Sequence, residues 1–119
     1  LTDRAEPAPR LPTQLEVSGL LRRVQAEGGF AIVLAKGEPD SGSLLVVLTN
    51  KGNDSKAMER MPSPDGGRVW TVARRESTDN RQDFADWLDR RRQQDPDLWI
   101  VELDIPNGER FIGSSIATG

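Results

Sequence analysis

Apolar residues recur at Val17, Leu20, Leu21 and Val24, the i, i+3, i+4, i+7 spacing that lines one face of a helix. "TQLE" just ahead reads as a capping box, with Thr13 over the amide of Glu16 and Glu16 reaching back. Gly28 and Gly29 then stop the helix, because glycine accepts the left-handed C-terminal conformation without penalty. The pattern predicts a helix over residues 13–28.

After that the period changes. "FAIVLAK" and "SLLVVLTN" are near-continuous aliphatic runs separated by the turn-forming "GEPDSG", and both read as buried strands. "KAMERM" alternates polar and apolar residues and reads as a weaker strand at a sheet edge. "RVWTVAR" alternates again beyond "PSPDGG". Asp79, with Gln82 three residues on, is the expected cap of a second helix, whose apolar face holds Phe84, Trp87 and Leu88 and which Pro96 ends. "DLWIVELDI" is the last strand, with Trp99, Val101, Leu103 and Ile105 on one face. Asn107 and Gly108 turn the chain into a short closing segment, "ERFIG".

The order α-β-β-β-β-α-β predicts an α+β fold. Short turns between the first four strands point to an antiparallel sheet of about five strands, with the two helices packed on one face. One domain over residues 13–112 is expected, between a flexible, proline-rich tail at 1–12 and a frayed tail at 113–119.

Composition removes whole classes of chemistry. The 119 residues suit one domain. Cysteine, histidine and tyrosine are absent. That excludes disulfides, thiolate nucleophiles, imidazole or thiolate zinc sites and the histidine-based serine triad. No apolar run approaches the roughly 20 residues of a membrane-crossing helix. "LTDRAEPAPRLP" has neither a basic leader nor an apolar stretch, so no secretory signal and a cytoplasmic address are expected. A net charge of −3 gives the molecule no overall basic field for nucleic acid. Neither phosphate-loop nor dinucleotide glycine motifs are present, so no cofactor is expected.

Candidate chemistry concentrates in "RRRQQDPDLWIVELDIP". Arg90 and Arg92 flank the apolar stripe of the second helix, where they complement its dipole. Arg91 falls within the stripe, seven residues after Phe84, so its stem covers apolar surface and its head needs an anion. Glu102 and Asp104 share one face of the last strand, with Cα atoms about 6.5–7 Å apart. Such a pair suits acid–base hydrolysis, an oxygen-liganded cation, or simple pairing with Arg91, Arg74 or Arg60. Trp99 reads as a core anchor. Arg22 and Arg23 lie off the first helix's stripe, with Glu27 the expected partner of Arg23. Convergence of these pairs with Arg74 and the Arg90 cluster would make a local basic patch on an acidic protein.

The combination of "RLP" before a helix carrying "LLRRV", then "GGFAIVLAKGEPDSG", and finally "DPDLWIVELD" resembles the bacterial family filed as domain of unknown function 1491, over roughly residues 10 to 112. The resemblance implies a soluble, single-domain bacterial protein and brings no activity, cofactor or catalytic residue to transfer. From the residues themselves, the expected function is a non-catalytic protein-binding or regulatory module. It would engage an unknown protein partner or a second copy through a sheet edge, away from membranes. RNA or phosphate-ligand binding through the arginine pairs is the alternative. A carboxylate-based enzyme, with Glu102 and Asp104 assisted by Arg91, comes third.

Overall fold

The computed structural model describes residues 11–113 together with the backbone of Ile116 and Ala117. The expected flexibility of residues 1–10 lies outside the described residues, as do residues 114, 115, 118 and 119. Helix α1 spans Thr13–Ala26, strand β1 Phe30–Ala35, β2 Leu44–Asn50, β3 Asn53–Pro62 and β4 Arg68–Arg75. Helix α2 spans Arg81–Gln94 and strand β5 Trp99–Asp104. A 3-10 turn, Gly108–Phe111, and a two-residue strand β6, Ile116–Ala117, complete the chain. The "ERFIG" segment thus forms the 3-10 turn, and part of the segment expected to fray pairs with β4.

Strands β2, β3 and β4 form the expected antiparallel meander, but the sheet as a whole is corrected to a mixed one of order β1-β5-β2-β3-β4-β6. Strand β5 enters between β1 and β2, antiparallel to the former and parallel to the latter. A parallel neighbour requires a long crossover, which β3, β4 and α2 together supply. This insertion has two consequences. Strand β1 becomes an edge, and β3, taken from its alternating sequence as an edge, lies inside the sheet between β2 and β4.

Nor do the helices share a face. Val17, Leu20 and Val24 of α1 pack with Leu44, Val46, Leu48, Trp99, Val101 and Leu103 on one side. Phe84 of α2, with Trp87 and Leu88, packs on Leu45, Val47, Ala57 and Ile100 on the other. Alternate residues of β2 therefore face different cores, which is why its sequence is an unbroken apolar run. Residues 44 to 49 are buried throughout.

The two expected caps are also corrected. Pro12, not Thr13, stands at the N-cap of α1, and its carbonyl accepts from the amides of Leu15 and Glu16. The Thr13 hydroxyl instead donates to the Gly42 carbonyl at 2.6 Å. At α2 the cap is Asn80, whose side chain accepts from the Asp83 amide at 3.1 Å. The C-terminus of α1 follows expectation two residues early, at Ala26, with Gly28 in the left-handed region at φ 88°.

Loop 37–42 explains the position of Trp99. Its carbonyl at Glu38 accepts the Trp99 indole N–H at 2.8 Å, and the Glu38 amide donates to the Asp97 carbonyl at 3.0 Å. The same loop receives the start of α1, as Asp40 and Pro39 carbonyls accept from Thr13 and Gln14 amides. "GEPDSG" and "DPDLW" are thus two sides of one joint. Trp99 is buried, as a core anchor should be.

Candidate functional site

Most of the candidate arginines prove to be fasteners between layers. Arg91 forms a two-pronged pair with Glu59 of β3, at 2.9 and 3.0 Å, and lies over the Trp87 ring. Its stem covers the apolar stripe and its head meets an anion, though the anion is Glu59 and neither carboxylate of β5. Glu59 pushes the Arg91 guanidinium further toward its charged form. Arg74 pairs with Asp83 at the other end of α2. Arg60 makes a two-pronged pair with Glu16 of α1, at 2.6 and 3.0 Å, and sits over Trp70. Lys56 pairs with Glu109 of the 3-10 turn. Every covering element is thus tied to β3 or β4 by an ion pair.

Arg23 donates to the Phe111 carbonyl at 3.0 Å, while Glu27, its expected partner, pairs with Arg110 at 2.9 Å. Arg22 is exposed. These side chains do not converge. Arg23 and Arg60 serve the α1 face, Arg74 and Arg91 the α2 face. The amides at the start of α1, which would otherwise suit a phosphate, are taken by the carbonyls of Pro12, Pro39 and Asp40.

Glu102 and Asp104 stand apart from all of these. They share the α2 face of the sheet, as the strand period requires, but lie further along β5 than Ile100, its residue in the α2-side core. Glu59, with Arg91 on it, is two strands away. Asp104 accepts the Lys51 amide at 2.6 Å. Glu102 makes no hydrogen bond or ion pair among the described residues. Partial burial raises its pKa above the usual carboxylate range, and the charges of Asp104 and Glu76 add to that. Among the described residues no group of three or more acidic side chains is placed to hold a metal ion.

Beside these carboxylates the sheet ends in an apolar strip. Register places Ile32 directly across from Glu102 and Phe30 across from Asp104. Phe30 is 77% exposed, Ile32 54% and Leu34 40%. "FAIVLAK" reads as a buried strand, and its Ala35 does join the α2-side core, but Phe30, Ile32 and Leu34 are exposed because β5 displaces β1 to the rim of the sheet. Only Ala31 and Val33 face the α1 core. Run and edge together are the feature that residue pattern alone misses. A sequence signal existed in the absence of any charge within "FAIVLA", but it reads equally as burial.

Two concavities lie elsewhere. One, of about 470 Å³, opens between the start of α1, loop 40–43 and the β3–β4 hairpin. Of the two arginines on its lining, Arg60 and Arg68, the former is matched by Glu16. The other, of about 230 Å³, lies between α1, Trp70 and Phe111. Neither is lined by Arg91, Glu102 or Asp104.

Two helices around a mixed sheet, with one apolar edge uncovered, define a small α+β domain. No helix among the described residues is long and apolar enough to cross a membrane. The chain belongs to the DUF1491 family, a protein family of unknown function, whose profile matches residues 11–113. It is similar to the crystal structure of a DUF1491 family protein from Caulobacter crescentus CB15, with 28% identity and a TM-score of 0.79 over 91% of this chain and 100% of that one. An NMR structure of a DUF1491 family protein from the same organism gives 28% identity and a TM-score of 0.74, covering 90% and 96%. The solution structure of protein Atu0922 from A. tumefaciens gives 26% identity and a TM-score of 0.70, covering 92% and 100%. No curated protein matches the chain.

Proposed function

We propose that this domain is a non-catalytic protein-binding or regulatory module that receives an extended partner segment along the outer edge of β1. The single observation behind the proposal is the exposed series Phe30, Ile32 and Leu34 on a strand whose outer side pairs with no strand among the described residues. An edge strand offers unpaired backbone donors and acceptors to a partner, and an apolar strip adds side-chain contact. The bacterial cytoplasm is the setting this proposal assumes. Engagement of Arg23, Arg74 and Arg91 inside the fold weighs against the nucleic-acid alternative, and separation of Arg91 from Glu102 and Asp104 weighs against an enzyme.

Site-specific photocrosslinking in cells tests the proposal. A crosslinking residue at Phe30 should yield a discrete adduct, and the same residue at the exposed helical position Gln25 should not. Ile32→Asp, which places a charge in the strip, should remove the adduct while leaving the circular dichroism spectrum unchanged. Equal crosslinking at both positions, or none at Phe30, would overturn the proposal.

A further inference from the structure

Resting on the edge-docking proposal, we infer that the partner of β1 is a strand carrying lysine or arginine at alternate positions, one of which crosses Ile32 to meet Glu102. A strand added to β1 would lie about 4.8 Å beyond Ile32 and so about 10 Å from Glu102, measured between backbones. An extended lysine or arginine side chain on the α2 face spans that gap together with the glutamate's own length. Its aliphatic stem then covers Ile32 while its charged head reaches the carboxylate, the division of labour these side chains adopt at apolar rims. One residue pair further along, Phe30 and Asp104 repeat the same arrangement of apolar rim and acid. The partner's basic residues thus recur at every second position, each facing an acid across an apolar residue.

Charge supports a cation. Glu102 is partly buried, flanked by Asp104 and Glu76, and has no ion-pair partner among the described residues, whereas Glu16, Glu59 and Glu109 each have one. An incoming ammonium or guanidinium would give Glu102 the charge-assisted bond that its neighbours cannot. A second copy of this chain fits less well. Strand "FAIVLA" contains no charged residue, and its nearest cation, Lys36, lies past the strand's end. Two β1 edges joined together would cover each other's apolar residues and leave both Glu102 carboxylates unmatched.

The test uses the full chain and three ten-residue peptides in which lysine, glutamine or glutamate alternates with valine and threonine. Binding is followed by fluorescence anisotropy, and its location by amide NMR shifts. The lysine peptide should bind about tenfold more tightly than the glutamine peptide, the worth of one partly desolvated charge-assisted contact. The shifts should fall on residues 30–35 and on Glu102, and Glu102→Gln should reduce the lysine peptide to the affinity of the glutamine one. Equal affinity of the lysine and glutamine peptides at β1 would sink the cation inference and leave edge docking standing. Lysine-peptide binding that shifts other residues, or no binding by any peptide, would overturn the inference. Should sedimentation show a dimer that Ile32→Asp dissociates and no peptide displaces, the occupant is a second copy and the inference is likewise overturned. Crosslinking from Phe30, described above, fails or succeeds independently of all three peptides.

Discussion

Glu102 has a carboxyl held above its ordinary value of 4.5, first by burial and then by the charges of Asp104 and Glu76. The strands beside it, β1 and β2, offer no charged side chain across from it, only Ile32 and Val47. A folded-state pKa above the unfolded one means that the folded protein holds the extra proton. The associated stability is therefore complete below about pH 4.5 and is lost as pH rises through the folded value. Glu102→Gln removes the loss, so the variant should melt above the wild type near pH 7 and match it near pH 3.5, as thermal scans at the two pH values would show. A higher wild-type Tm at neutral pH would contradict this reading. Arg60 presents the opposite situation. Its Nε is buried without a hydrogen-bond partner, and Glu16 and Trp70 hold the rest of the group. Arg60→Ala should cost about 1–3 kcal/mol in urea melts, because Glu16 loses its counter-charge in a partly buried place. Arg60→Met with Glu16→Gln should recover most of that, since an apolar stem still covers Trp70 and no lone charge remains.

Among the elements, the joint between loop 37–42 and the "DPD" turn carries the tightest packing. A Cβ on Gly42 would stand 2.3 Å from the Asp97 carbonyl oxygen, and one on Gly37 would stand 2.1 Å from it. Backbone meets backbone there, so neither side can yield. Gly42→Ala is expected to destabilise by at least about 1–3 kcal/mol, measured by urea unfolding. An unchanged midpoint would show that the loop relaxes freely. The elements also show what residue pattern can and cannot carry. Helix α1, the turn segments and the Trp99 anchor were legible because local periodicity and turn chemistry decide them. The cap of α1 differs because a tertiary partner, the Gly42 carbonyl, draws the Thr13 hydroxyl; at α2 the contest is local, with Asn80 in place of its neighbour Asp79 accepting from the Asp83 amide. Strand β3 was misplaced for a related reason. Its polar residues Lys56, Glu59 and Arg60 looked like an edge facing water, but each is paired with an acid or base on a covering element. Strand β1 is the reverse, apolar in sequence yet partly exposed, since the insertion of β5 is a long-range event that leaves no local mark. Of the candidate site, Glu102 and Asp104 were visible as a shared face; their apolar companions across the strand boundary were not.

At the scale of the whole molecule, the sheet separates two unequal cores. Among the described residues, fourteen buried ones form the α1 side and seven the α2 side, so the two helices are held with different strength. Phe84 is the one buried residue of helix α2, which relies otherwise on Trp87, Leu88 and the pairs Arg91–Glu59 and Arg74–Asp83. Partly exposed ion pairs contribute little net stability, so Phe84 is the main fixing point. Local opening should therefore begin with α2, while α1 stays on the sheet until global unfolding. Native-state hydrogen exchange should report a smaller opening free energy for amides of residues 85–94 than for those of β2 and β5. Phe84→Ala should lower global stability by about 3–5 kcal/mol if the layers unfold together, the usual cost of emptying a buried aromatic site. If they unfold separately, the variant should instead accelerate exchange in α2 and leave the slowest amides of β2 nearly unaffected. The unequal cores favour the second pattern, because removing Phe84 leaves the α1 side of β2 and β5 intact. Uniform acceleration across both helices would mean that the sheet transmits the loss and that the two cores act as one.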